Sequence, residues 1–435
     1  MYRLFLFCLI QCILTKGNAQ AAWQAPVKQA EFSKAAVVCA HPLASKVGIE
    51  MLRAGGNAFD AGIAVQLALA VVYPNAGNLG GGGFMVARCS NGNTWCLDYR
   101  EVAPGHAFRD MFLDQEGKAI PSRAREGCLA AGVPGTVAGI FRMYEKAKLP
   151  FSTLIQPAID LARNGFAISS RQARELITLK EVFLKNSAQP IAFVKEGEWK
   201  EGDVLVQPAL AQTLERIRDK GMQGFYEGET ANLIVTHMQQ GGGMITLDDL
   251  KGYNTRERKA MEFDYQKHHI ITMPLPSSGG ILLQQLFGMS EQHGIEKMNY
   301  MSDTCVQLMI EAMRRAYADR AGCLGDPDFV QVPVETLVSA AYLKKRMQDF
   351  MSLKAGNSSN IQSGLPCEHE ETTHISIIDA DENAVSITTT LNDSYGSKSV
   401  VAGAGFLLNN EMDDFSMKAG TPNLYGALGN KANEI

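Results

Sequence analysis

Three groups of residues carry chemistry by their types and spacing. The first is Glu371-Thr372-Thr373-His374, where a polar run from Gly356 to Glu371 gives way to residues that alternate and then turn apolar, as an inner strand does. A threonine hydroxyl is a weak nucleophile. If the backbone is cut before Thr372, the new α-amine beside that hydroxyl supplies an adjacent general base. The second is Arg100, which ends a strand beginning at Trp95 and whose planar guanidinium suits either a bidentate hold on a carboxylate or a surface ion pair. The third is Asn409-Asn410-Glu411-Met412-Asp413-Asp414, two amides and three acids after a short apolar strand, Phe406-Leu407-Leu408. It could bind a cation, cap a helix or hold an amino group, and chain logic leaves structural turn and ligand site both open.

Other tempting motifs fail their own conditions. No Lys follows the glycines Gly80 to Gly83, and a strand rather than a helix comes next, so the phosphate-loop and dinucleotide readings lapse. Four glycines in a row then mean close backbone approach or positive φ. Ser277 and Ser278 lie in a turn before a helix and read as caps, and there is no G-x-S-x-G elbow. His374 falls two residues after Thr372, on the same strand face, and reads as a packed or supporting group. The other histidines are scattered, and the acids from Asp319 to Asp328 lack EF-hand spacing, so neither metal nor cofactor is expected.

The elements that must position these residues follow from periodicity. Thr373 to Asp379 and Ala384 to Asn392 read as a hairpin about Ala380-Asp381-Glu382-Asn383. Ala36 to Ala40 reads as a strand, followed by helices from Leu43 to Arg53 and from Asp60 to Val72, the second with a face of small residues. Helical periodicity covers 136–144, 152–163, 170–184, 207–220, 281–293, 303–319 and 339–351, with Glu311, Arg314 and Arg315 on a solvated side. Thr246 and Asp249 form a capping box. Arg256 to Tyr265 and His268 to Met273 read as strands, and Arg109 to Leu113 as a short amphipathic segment.

The 435 residues are 46% hydrophobic and 20% charged, with a formal charge of −5, an ordinary globular balance. The absence of basic clusters argues against a nucleic-acid partner. Met1-Tyr2-Arg3, the apolar run Leu4 to Leu14 and the small residues Gly17 and Ala19 read as a signal peptide over residues 1–19, which implies a periplasmic or secreted protein. That run is too short to span a bilayer comfortably, and no other stretch approaches membrane length. Of nine cysteines, Cys8 and Cys12 leave with the signal, and the seven that remain form no disulfide framework. Cys89 and Cys96 either bridge across the turn Asn91-Gly92-Asn93 or are two buried thiols.

Taken together, Thr372-Thr373-His374, Thr388-Thr389-Thr390-Leu391-Asn392, the run Leu408 to Ser416, Asp98-Tyr99-Arg100-Glu101 and the block Gly77 to Phe84 resemble the γ-glutamyltransferases, bacterial in type. The resemblance covers essentially residues 25–430. It implies an α+β fold, the αββα four-layer sandwich of an N-terminal nucleophile hydrolase, made as one precursor that cuts itself between Glu371 and Thr372. The large subunit would then be residues 20–371 and the small one would start at 372. By the same resemblance Thr372 attacks the γ-carbonyl of glutathione or a similar amide, with its own α-amine as base, and leaves a γ-glutamyl ester. Water, an amino acid or a dipeptide then takes the glutamyl group. Thr390 corresponds to a second Thr that hydrogen-bonds the nucleophile, and Arg100 to the clamp on the donor's α-carboxylate. Asn392, Glu411 and Asp414 match positions that hold the carboxylate and amino ends of the glutamyl group, and Tyr425 an aromatic lid.

The family also supplies, farther along its small subunit, a Ser-Ser pair near a Pro-Leu and a Gly-Gly oxyanion loop. Neither follows Asn430 here, so the expectation is a fold incomplete at its C-terminus, with residues 372–435 the start of the small subunit. The alternatives are a related amidase acting on another acyl amide, such as a β-lactam acylase or a poly-γ-glutamate hydrolase, and an inactive, uncleaved fragment that only binds.

Overall fold

The alternation from Thr373 to Ile378 places Thr373, Ile375 and Ile377 on a buried face and leaves His374, Ser376 and Ile378 on the other. Strands with this pattern pair into the central element of the computed structural model, which describes residues 31–188, 190–358, 361, 372–415, 417–418, 423–424 and 435. The side chains of 321–323 and 372 fall outside that description.

Among the described residues the strands in chain order are β1 (Ala36–Val38), β2 (Gly82–Arg88), β3 (Thr94–Asp98), β4 (Phe166–Ala167), β5 (Val204–Leu205), β6 (Arg256–Arg258), β7 (Met261–Tyr265), β8 (His268–Thr272), β9 (Thr372–Ile378) and β10 (Ala384–Thr390). Six form one antiparallel sheet in the order β1-β9-β10-β2-β3-β6. Among the described residues the others form two-stranded pairs, β4 with β5 and β7 with β8. The two regions expected as subunits share the six-stranded sheet, since β9 and β10 lie between β1 and β2. No chain boundary at residue 371 could separate them without breaking ladders on both sides.

The helix Ala58–Val72 packs on the inner face of this sheet across β9 and β10, with the helix Pro42–Arg53 beside it against β1. All of Ala58–Val72 is buried, and its small residues explain the close approach: a Cβ on Gly62 would lie 3.0 Å from Ile387 Cδ1. Ile375, Ile377, Val385 and Ile387 pack there, each contributing roughly 1.5–3 kcal/mol by burial. The helix is aimed by its start, where Asn57 and Asp60 form a capping box and Asp379, at the end of β9, accepts the Ala58 N–H at 2.9 Å. On the opposite face Val38 and Ile378 are exposed.

Several expectations need correction. The helix expected over 170–184 is two helices, Ser170–Thr178 and Lys180–Asn186, broken at Leu179. Phe406-Leu407-Leu408 contributes isolated bridges, Leu408 to Gly80 and Leu407 to Val400, rather than a strand. The segment from Arg109 to Leu113 is turn. Glu311 and Arg315 are buried rather than solvated, because each satisfies the other across one turn of the helix Asp303–Cys323. Ser278 caps no helix N–H; its Oγ accepts from Arg320 Nε at 2.9 Å. Cys89 and Cys96 are free thiols. Among the described residues no helix is long and apolar enough to cross a membrane.

Candidate active site

The last pair of the β9–β10 ladder sets Thr372 opposite Thr390, with Gly82 on the other side of Thr390. Thr390 is buried and its Oγ1 accepts the Asn392 N–H at 2.8 Å. Its carbonyl accepts from Asn78 Nδ2 at 2.7 Å. The same buried carboxamide donates to Thr389 Oγ1 at 3.0 Å, and its Oδ1 accepts the Gly81 N–H at 3.0 Å and the Thr136 hydroxyl at 2.6 Å. Asn78 therefore ties the end of β10 to the glycine block and to the start of the helix Thr136–Tyr144. A Cβ on Gly81 would sit 2.2 Å from the Thr390 carbonyl oxygen, and one on Gly83 2.3 Å from that of Thr388. Close approach, not positive φ, is what the glycine block is for.

The Asn-Asn-acid motif divides its labour. Asn409 Nδ2 donates to the Gly80 and Gly132 carbonyls, both at 2.8 Å, while its Oδ1 accepts the Gly132 and Glu411 N–H groups at 2.9 and 3.0 Å. Asn410 Oδ1 accepts the Asp393 N–H at 2.9 Å, and its carbonyl accepts Asn392 Nδ2 at 3.0 Å. Asn392 itself has φ +74°, a left-handed backbone that Asn tolerates better than most residues. The two amides are thus fold-forming and the acids point elsewhere. Asp413 turns to Arg125 Nε at 3.3 Å and to the Leu424 N–H at 2.6 Å; burial raises its carboxyl above the ordinary range, against the pull of those two partners.

Glu411 and Asp414 both reach Arg100. Arg100 Nη2 donates to Glu411 and, at 3.0 Å, to Asp414 Oδ2. Arg100 Nε lies 3.5 Å from Glu101 Oε2, and its guanidinium sits 5.6 Å from the centre of the Phe84 ring. Burial pushes the Glu101 carboxyl up to about 7, with Arg100 pulling the other way. Among the described residues neither carboxylate oxygen of Glu101 has a hydrogen-bond partner. Arg100 and the Glu411 and Asp414 carboxylates meet in one place, so both signs of charge are on offer to the two ends of a ligand that carries an ammonium group together with a carboxylate.

His374 uses both ring nitrogens on β10, Nδ1 with Thr388 Oγ1 at 2.8 Å and Nε2 with Ser386 Oγ at 3.0 Å. Partial burial lowers its pKa. It staples the two strands that set Thr372 opposite Thr390. Among the described residues no group of His, Cys, Asp or Glu is placed to hold a metal ion. Arg100, Thr390, Asn392, Glu411 and Asp414 thus surround one corner of the sheet, with the Thr372 backbone at the same end. Glu371 and Tyr425 lie outside the described residues. Sequence reasoning missed Asn78 and the weight of Glu101, although both sit inside stretches it singled out.

Comparison with known proteins gives the family and the fold. The gamma-glutamyltranspeptidase family profile matches residues 44–435. A glutathione hydrolase proenzyme of Escherichia coli is 46% identical over 397 residues, covering 90% of this chain and 68% of that protein. One of Pseudomonas aeruginosa is 44% identical over 425 residues, covering 97% of this chain and 75% of that protein. The crystal structure of Helicobacter pylori γ-glutamyltranspeptidase superposes with a TM-score of 0.74 at 45% identity, covering 78% of this chain and 97% of that one. A cephalosporin acylase from Bacillus halodurans, at 22% identity and a TM-score of 0.76 over 95% of this chain and 75% of its own, shares the fold. The fold is that of the N-terminal nucleophile hydrolases, and the chain belongs, as an enzyme, to the γ-glutamyltranspeptidase family.

Proposed function

We propose that the protein hydrolyses and transfers γ-glutamyl groups from glutathione and related amides, after cutting itself between Glu371 and Thr372. The observation that carries this reading is the single corner where the Thr372–Thr390 ladder end meets the Arg100–Glu411–Asp414 cluster. The Thr372 hydroxyl attacks the γ-carbonyl carbon while its free α-amine takes the proton, and that proton goes to the departing amine. A γ-glutamyl ester remains. Water or an amino acid's amine then attacks the ester carbonyl, and the Thr372 oxygen leaves and regains its proton. Thr390 supports the nucleophile from the opposite position of the ladder.

The donor's zwitterionic end exchanges ion pairs rather than adding one. Its α-carboxylate takes the Arg100 guanidinium, and its ammonium takes the Glu411 and Asp414 carboxylates that Arg100 otherwise holds. Asn392 completes the carboxylate end. Such an exchange gives each end of the zwitterion an opposite charge to meet, and it favours a glutamyl donor over an acyl group with a lone carboxylate. The likeness to the acylase carries the fold alone. The signal-like residues 1–19 support export, to the periplasm or beyond.

A denaturing gel tests the reading directly. The purified protein should give two bands, the smaller beginning at Thr372 by N-terminal sequencing. Thr372→Ala should give one uncut band and no turnover of a γ-glutamyl anilide. Turnover by an uncut Thr372→Ala protein would sink the assignment.

A further inference from the structure

Arg100 lies beyond the end of β3, in irregular chain, yet both of its peptide groups are held by side chains. Its N–H donates to Asp98 Oδ1 at 3.1 Å, and its carbonyl accepts the Tyr253 hydroxyl at 2.7 Å. Each of these partners is itself braced. Asp98 Oδ2 accepts from Arg258 Nε at 3.0 Å, on the neighbouring strand β6, and Arg258 also reaches Asp328 Oδ2 at 2.8 Å. Tyr253 follows the capped helix Leu247–Gly252 and is 6% exposed. Its ring stacks on Tyr226 at 5.8 Å with an interplanar angle of 1°. Tyr226 in turn donates to the Pro134 carbonyl at 2.8 Å. There is no slack around the Tyr253 hydroxyl, since a Cβ on Gly135 would come within 2.1 Å of it.

A loop residue needs such bracing only if its side chain must be delivered accurately, because a long Arg magnifies any backbone shift at its tip. We propose that Tyr253 is a positioning residue for Arg100, its hydroxyl fixing the Arg100 carbonyl and so the reach of the guanidinium to donors that carry a free α-carboxylate. The Asp98–Arg258 pair holds the other side of the same residue. This rests on the reading that Arg100 binds the donor carboxylate. Burial raises the Tyr253 hydroxyl well above its ordinary pKa, so it stays a neutral donor at any working pH. Tyr253 touches no reacting atom, so its effect belongs in KM rather than in kcat.

The test is Tyr253→Phe, which keeps the ring and its stack and removes one hydroxyl. Self-cleavage is scored on a gel, and kcat and KM are measured with γ-glutamyl anilide, in wild type, Tyr253→Phe, Arg100→Ala and the double variant. The expected result is normal self-cleavage, kcat within about twofold, and KM raised about 5- to 10-fold, the worth of one well-formed hydrogen bond. That rise should vanish in the Arg100→Ala background. An unchanged KM in cleaved Tyr253→Phe, or an equal rise with and without Arg100, overturns the proposal while leaving the reading of Arg100 intact. An unchanged KM in Arg100→Ala removes that reading and the proposal with it. Loss of self-cleavage in both Tyr253→Phe and Asp98→Asn would assign the clamp to the fold and overturn the proposal.

Discussion

Two arginine–carboxylate clusters in this protein differ in where their partners come from. In the helix Asp303–Cys323, Arg315 donates to Glu311 Oε2 at 2.7 Å, to Asp349 Oδ1 at 2.7 Å and to the Arg346 and Glu311 carbonyls at 2.7 and 3.0 Å. Arg314 adds a second cation on Glu311 Oε1 at 2.6 Å. Two arginines meet two acids, drawn from one helix and the chain soon after it. In the corner beside Thr390, a single Arg100 meets Glu101, Glu411 and Asp414, the last two more than 300 residues away in sequence. The first cluster is local to its helix and the second is gathered from across the fold around a buried carboxyl, Glu101, that is pushed up to about 7. A buried cluster closed by local partners holds structure together, while a displaced carboxyl beside a half-exposed Asp and an Arg is the mark of a functional site.

This contrast can be broken from either side. Arg315→Ala should be the more damaging to the fold, costing about 3–5 kcal/mol of stability because Glu311 stays buried without its main partner. The KM for a γ-glutamyl anilide should not move in whatever fraction folds. Urea unfolding together with steady-state kinetics reads both, and a raised KM would mean that the helix cluster serves the site after all. Arg100→Ala should do the reverse. Removing the partner of a charged ligand group costs about 2–5 kcal/mol, so KM should rise by roughly 30-fold or more. Global stability should fall less than in Arg315→Ala, since Asp414 keeps water beside the cluster even though Glu101 and Glu411 stay buried. Arg100→Lys should recover little of the lost affinity, because a point charge cannot reproduce the planar fork.

How far the sequence foretold the two clusters follows from the range of the interactions involved. Arg100, Thr390, Asn392, Glu411 and Asp414 can be singled out as candidates because their motifs are local and distinctive, and the hairpin that carries Thr372 and Thr390 announces itself by alternation. At Asn409 the structural role comes from contacts with Gly80 and Gly132, some 280 to 330 positions away, which no local pattern contains, and at Asn410 from Asn392 and Asp393. Tyr253 and Asn78 were invisible as functional neighbours for the same reason, since one hydrogen bond across the fold leaves no periodic trace. Arg315 was misread as solvated because a charged residue on a helix is usually exposed, and only the facing segment from Arg346 to Asp349 makes burial affordable. The helix break at Leu179 likewise has no Gly or Pro to mark it.

The smallest of these effects sharpens the contrast most, because it reads the displaced carboxyl itself. Glu101 titrates near 7 in the folded protein against 4.5 for an ordinary glutamate, a displacement due first to burial and only partly offset by Arg100. A carboxyl raised in this way favours the folded form fully below about pH 4.5 and loses that advantage as pH climbs toward 7, where the folded protein must ionise a buried acid that the unfolded chain ionises easily. At about 1.4 kcal/mol per pH unit the loss is at most about 3 kcal/mol. Glu101→Gln should remove it. In the uncut Thr372→Ala background, which keeps one chain through unfolding, the variant and its parent should be equally stable near pH 4. Above pH 7 the Gln variant should be the more stable of the two. Parallel stability profiles between pH 4.5 and 7 would show that Glu101 is already compensated, and the Arg100 cluster would then be as self-contained as the one around Arg315.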